Sequence, residues 1–188
     1  MSGHALSIAL PAWVDDVVDW TRPYATDDER MRLAISLAAE NVARDAGGPF
    51  GAAIFEEETG RLVSVGMNRV VPENNSILHA EMLAFMMAQQ RVGSYTLGAP
   101  GLPAHTLVSS CEPCAMCLGA TLWSGVRRLV CGATREDAMR ARFDEGPVFP
   151  QSYRYLEERG IAIVRGILRD EASAVLGRYA ASGEIYNG

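Results

Sequence analysis

Apolar residues recur at helical spacing along Met31, Ala34, Ile35, Ala38 and Val42, the stripe of a helix with one face in a core. In front of it, Thr26-Asp27-Asp28-Glu29 fits a capping box: the threonine accepts from a free backbone N–H and the glutamate reaches back to the cap. Gly47-Gly48-Pro49 supplies the stop. Two β-prone runs follow, Gly51 to Glu56 and Leu62 to Asn68, joined by Glu57-Glu58-Thr59-Gly60 as a hairpin loop. Ser76 stands where it can cap a helix from Ile77 to about Gln90, apolar on most sides and so predicted to lie between layers. A Gly/Pro-rich loop over 93–103 leads to a short buried strand, Thr106 to Ser109. The pattern then predicts a helix to about Trp123, a break at Gly125, a strand Leu129 to Cys131 and a helix from Thr134. An irregular stretch from Phe143 to Pro150, a strand Ile161 to Val164 and a closing helix Asp170 to Ala181 complete it. Strands interleaved with helices predict an α/β fold, a three-layer α/β/α sandwich with a mixed central sheet.

The length of 188 residues suits one domain over 1–188, with 1–25 as an N-terminal extension. Hydrophobic residues at 48% and charged residues at 21% are those of an ordinary globular chain. All 17 basic residues are arginine, which excludes lysine Schiff-base chemistry and a phosphate-loop lysine. A net charge of -6 disfavours nucleic acid as a partner, because such binding needs a basic surface that displaces counterions. No charged leader precedes an apolar stretch and no apolar run is long enough to span a bilayer, so the expectation is a cytoplasmic protein without membrane contact. The four cysteines, Cys111, Cys114, Cys117 and Cys131, cluster in one stretch, unlike a secreted disulfide framework.

Two short pieces carry the chemistry: His79-Ala80-Glu81 at the start of one helix and Pro113-Cys114-Ala115-Met116-Cys117 at the start of the next. Cys114 and Cys117, three apart on a first helical turn, share a face, and Pro113 suits a helix start. The positive end of a helix favours thiolate, the form that binds zinc. His79 adds a third ligand, and His/Cys/Cys leaves one tetrahedral position open for water. His79 and Glu81 can converge only in a first turn, where the Ser76 cap would place them, and Glu81 is then the proton shuttle. The competing reading gathers all four cysteines into a structural zinc or iron–sulfur site. Against it stands the match of His-x-Glu with Pro-Cys-x-x-Cys to the zinc-deaminase signature in order and spacing. Cys111 and Cys131 then become small buried residues.

On these motifs the chain resembles the cytidine-deaminase-like zinc-dependent nucleobase deaminases, from about Glu29 to Tyr186. Within them it looks most like the bacterial guanine deaminases, through Gly48-Pro49-Phe50-Gly51, Asn68-Arg69-Val70, Cys111-Glu112-Pro113-Cys114 and Phe143-Asp144-Glu145. The resemblance implies that His79, Cys114 and Cys117 hold Zn2+ and that Glu81 and Glu145 are catalytic. It implies that Asn68 binds the base edge, Phe50 and Phe143 flank it, and the Ala80 N–H binds its carbonyl. Tyr186, in a C-terminal segment over about 183–188, would close over the site. The family usually has glycine where this chain has Arg142, just before Phe143. Trp123 resembles a pocket residue too, but its place around the helix from Cys117 predicts core or interface.

The expected activity is hydrolytic deamination of a free purine base, guanine to xanthine plus ammonia, by a homodimer acting on a small molecule in purine catabolism. Cytosine, a pterin or an amino-triazine is the alternative substrate. A tRNA adenosine deaminase and a non-enzymatic zinc module are the further alternatives.

Overall fold

In the computed structural model of the chain the described residues are 6–182, 185 and 187. α1 (Val14–Val17) and α2 (Asp27–Ala43) precede the hairpin β1 (Gly51–Glu56) and β2 (Leu62–Met67). Then come α3 (Ala80–Val92), β3 (His105–Cys111), α4 (Ala115–Ser124), β4 (Arg128–Ala133) and α5 (Arg135–Arg140). The chain closes with α6 (Pro150–Glu158), β5 (Ala162–Val164) and α7 (Arg169–Ser182). The sheet runs β2-β1-β3-β4-β5; β1 is antiparallel to both its neighbours, whereas β3, β4 and β5 are parallel. This is the mixed sheet expected from the alternation of strands and helices.

Helices cover both faces. Ala52, Ile54, Leu107 and Leu129 share one apolar cluster with Ala80 and Ala84 of α3, Leu118 of α4 and Leu156 of α6. Ala53, Phe55, Val108 and Val130 pack with Met31, Ala34 and Leu37 of α2. The α7 residues Ala172 and Leu176 lie on Cys111 and Ala133. β1, β2 and β3 are buried along their whole length; β1 and β2 are largely apolar or small, whereas β3 also buries His105, Thr106, Ser109 and Ser110. Gly66 lets α3 lie directly on β2: a Cβ there would stand 2.1 Å from the Ala80 carbonyl oxygen.

Thr26 and Glu29 form the expected capping box on α2. The expected cap at Ser76 is not observed, and α3 starts three residues after the predicted Ile77. The Leu78 carbonyl accepts from Arg69 N–H at 2.9 Å and Asn75 holds Ile77 N–H in a local turn, so residues 75–78 cannot enter the helix. Pro113 is likewise outside its helix, one residue before the cap Cys114. α1 and α6 were not anticipated. α6 buries only Tyr153 and Leu156, too few positions to show a period, although Pro150 at its first turn is a helix-start signal. Trp123 is 80% exposed, which corrects the core alternative for it.

Candidate active site

α3 follows β2 and α4 follows β3, so both helices begin at the sheet end where β1 starts and β2 and β3 finish. His79 and Cys114 are the two N-cap residues, both in extended backbone, and neither side chain caps its own helix. They turn instead toward each other. His79 Nδ1 lies 3.5 Å from Cys114 Sγ and 3.6 Å from Cys117 Sγ. Zinc bonds of roughly 2.3 Å to sulfur and 2.0 Å to nitrogen, meeting tetrahedrally, require about this N···S separation. Among the described residues, these three are the His, Cys or acidic group whose donor atoms all fall within 4.8 Å of one another. Cys111 and Cys131 are buried apart from it, so the four cysteines are not brought together.

Glu81 sits in the first turn of α3, buried, and Ser109 Oγ of β3 donates to its Oε1 at 3.1 Å. Burial, then the charge of Cys114, pushes the Glu81 carboxyl upward. Glu145 is also buried and is pushed up to about 8 by burial, with Cys114 and Glu81 adding to the shift. Cys114 falls to about 4, first because Cys117 donates to it and further because His79 does; Cys117 keeps the shared proton and moves well up. Burial pulls His79 down, but the bond to Cys114 and the charges around it outweigh that and leave it raised. Two carboxyls and a thiolate thus crowd one buried space, whose natural counter-charge is a divalent cation. The donor set and its spacing both fit zinc.

Above the donors opens a cavity of about 540 Å³ lined by Phe50, Asn68, His79, Glu81, Cys114, Phe143 and Glu145. Phe50 meets Phe143 edge to face at 4.9 Å, and Phe143 stacks on Tyr179 of α7 at 6.0 Å. The Asn68 carboxamide oxygen accepts from Val70 N–H at 3.3 Å, which leaves its amide hydrogens for the cavity. Ala80 does not line the cavity; it opens α3, where a backbone N–H has no partner within the helix. Tyr186 lies outside the described residues. Tyr179, Ser76 and Asn187 line the cavity without having been anticipated. No local motif marks them, because Ser76 arrives from a turn, Tyr179 from the closing helix α7 and Asn187 from the C-terminal segment, which only the packing brings near.

Arg142 has φ 71°, the left-handed conformation that glycine adopts freely, so the backbone suits the glycine that the resemblance leads us to expect there. Its guanidinium leaves the cavity and donates to the Ala180 carbonyl at 2.9 Å.

A profile of the cytidine and deoxycytidylate deaminase zinc-binding region matches residues 25–133. The chain belongs to that family. Membership makes it a hydrolytic, zinc-dependent deaminase. It is 34% identical to guanine deaminase of Bacillus subtilis over 76% of this chain and 87% of that one. To a probable cytosine deaminase of Schizosaccharomyces pombe it is 36% identical, over 76% and 85%. Among solved structures, guanine deaminase from Nitrosomonas europaea superposes with a TM-score of 0.89 at 46% identity, covering 94% of this chain and 97% of that one. A structure in complex with 2,6-diaminopurine gives 0.91 at 47% identity over 97% of each chain. Similar structures with 8-azaguanine bound carry a substitution at an asparagine or at a glutamate.

Proposed function

We propose that this deaminase converts free guanine to xanthine and ammonia, as one domain over 1–188. The observation that carries the reading is that Asn68 and Glu145, far apart in sequence, face one cavity with Glu81. The asparagine and glutamate substituted in the 8-azaguanine complexes have the same separation in sequence as this pair, which supports their roles.

His79, Cys114 and Cys117 would hold zinc, which supplies Lewis acidity for activating water near neutral pH. Glu81 takes a proton from water while the oxygen adds to the amine-bearing C2 of the base. The same carboxyl then returns a proton to the departing nitrogen, so that water and guanine leave as xanthine and ammonia. Ser109 fixes one Glu81 oxygen and so leaves the other for this transfer. Asn68 binds the base edge, Glu145 accepts from the ring N–H and the exocyclic amine, and the Ala80 N–H binds the carbonyl. Phe50 and Phe143 flank the ring.

The α4 positions Met116, Gly119, Ala120 and Trp123 recur at helical spacing, carry no charge and leave Trp123 exposed. This face supports a homodimer. The net charge of -6 supports a small-molecule substrate in preference to tRNA. No helix among the described residues is long and apolar enough to cross a membrane. We place the enzyme in the cytoplasm, in purine catabolism. The test is an ammonia-release screen of guanine, cytosine, adenine, their nucleosides and amino-triazines, with zinc measured on the same sample. Guanine should give the highest kcat/KM. Inosine formed in tRNA, or a better non-purine substrate, would replace this reading.

A further inference from the structure

The loop that carries Glu145 is tied down on both sides of that residue. Ala115 N–H, at the start of the metal-site helix, donates to the Glu145 carbonyl at 3.0 Å. Asp144 Oδ1 accepts from Gly146 N–H at 2.9 Å. The next carbonyl, Gly146 O, receives Val148 N–H at 2.9 Å and a side chain from outside the loop, Arg135 Nη2, at 3.1 Å. A carbonyl oxygen has two lone pairs, so both donors can be held at once.

Arg135 is the first residue of α5 and does not line the cavity. Its backbone N–H donates at 3.0 Å to Glu112 Oε2, a buried carboxylate two residues before Cys114. One residue therefore links the strand end that leads into the metal-binding cysteines with the loop that holds the second acid. Its guanidinium makes no ion pair among the described residues, and its Nε–H is buried without a hydrogen-bond partner. A buried unpaired donor is unfavourable and calls for an explanation. Fold stability alone would be better served by a neutral apolar side chain here. The cation is instead directed at the one carbonyl that follows Glu145.

We propose that Arg135 is a positioning residue for Glu145: by gripping Gly146 O it sets the direction from which the Glu145 carboxyl enters the cavity. The inference rests on the role given to Glu145 above. Gly146 supports it, since its φ of 66° and the approach of the Ala115 methyl, 3.3 Å from a Cβ built there, leave the loop little room to adopt another path.

The test is a double-mutant cycle on the zinc-loaded enzyme, with Arg135→Met, Glu145→Gln and the double variant, plus Arg135→Lys as the conservative change. Each is assayed for kcat and KM on guanine and for the Kd of 8-azaguanine by calorimetry, with zinc content and Tm as controls. Arg135→Met should lower kcat/KM by about 10- to 100-fold, the range of a misplaced catalytic group. It should weaken 8-azaguanine in parallel and keep one zinc per chain. Arg135→Lys should recover part of the loss, since it retains the charge but not the planar fork. In the Glu145→Gln background, Arg135→Met should cost less than about threefold, because the group it positions is already gone. Equal losses in both backgrounds, or no loss in either, would overturn the positioning role while leaving Glu145 intact. Full activity in Glu145→Gln itself would remove the Glu145 reading and this inference with it, a separate result.

Discussion

Ser109 Oγ donates to Glu81 Oε1 at 3.1 Å, joining the middle layer of the sheet to the first turn of α3. Both partners are buried, so the bond holds the carboxyl at one angle over the cavity floor without help from solvent. Ser109→Ala should therefore lower kcat more than it raises KM, by about 10-fold for a lost orienting bond to a charged group. Steady-state kinetics on guanine decides it; a pure KM effect would place the serine in binding instead.

Glu81→Gln keeps size and polarity but cannot accept a proton. Its kcat should fall by roughly 10²- to 10⁴-fold, the usual worth of a general acid–base. Metal analysis should find zinc retained, because Glu81 stands outside the donor group. Zinc lost with activity would make Glu81 a ligand.

Cys114→Ser and His79→Ala should each empty the metal site, whereas Cys111→Ser and Cys131→Ser should leave one zinc per chain. Cys111 Sγ is directed at the Thr134 carbonyl at 3.7 Å, away from the donors. Plasma emission spectroscopy on purified variants checks this. Loss of zinc from either of the latter two would revive a four-cysteine site.

Asp137 gives an acid-stability signature. It caps α5 by accepting from Thr134 N–H at 2.9 Å and receives both Arg169 Nε and Nη2, at 2.7 and 3.0 Å. The Arg169 bonds, with those of Thr134, hold its carboxyl far below the ordinary aspartate value. A carboxyl depressed in the folded state contributes stability that is full above its unfolded value of about 4 and is lost as pH falls through the folded one. Asp137 is sheltered but Arg169 is half-exposed, so Asp137→Asn should lower Tm by only about 2 to 4 °C at pH 7, as for the loss of one charge-assisted hydrogen bond. The gap to the parent protein should narrow below about pH 4. A gap that stays constant from pH 7 to pH 2 would contradict the linkage.

Glu145→Gln should hurt guanine more than a heterocycle with fewer donors on that edge, because an amide sets a donor against a donor. kcat/KM on guanine and on the best other substrate reads it directly. Equal losses on both would reduce Glu145 to a proton relay.

Local signals were enough for the layered α/β architecture, since the buried strands β1, β2 and β3 and the stripe of α2 are written in consecutive residues. His79, Glu81, Cys114 and Cys117 were legible for the same reason: metal chemistry restricts residue type and spacing, and both motifs lie within single turns. Where α3 begins was not legible, because a tertiary bond from Arg69 to the Leu78 carbonyl displaced the Ser76 cap. Asn68, Phe50, Phe143 and Glu145, which line the cavity, were named through the family resemblance and carry no local period of their own. Glu145 faces the cavity because Ala115 and Arg135 hold its loop, and Tyr179 reaches Phe143 from a helix near the chain's end. The sequence by itself determined which residues could bind zinc and move a proton, since those are properties of side chains at short separation. Only the tertiary structure decided which acid, aromatic ring and amide share the space above them, because contacts between distant segments depend on how the layers pack and leave no period in the chain.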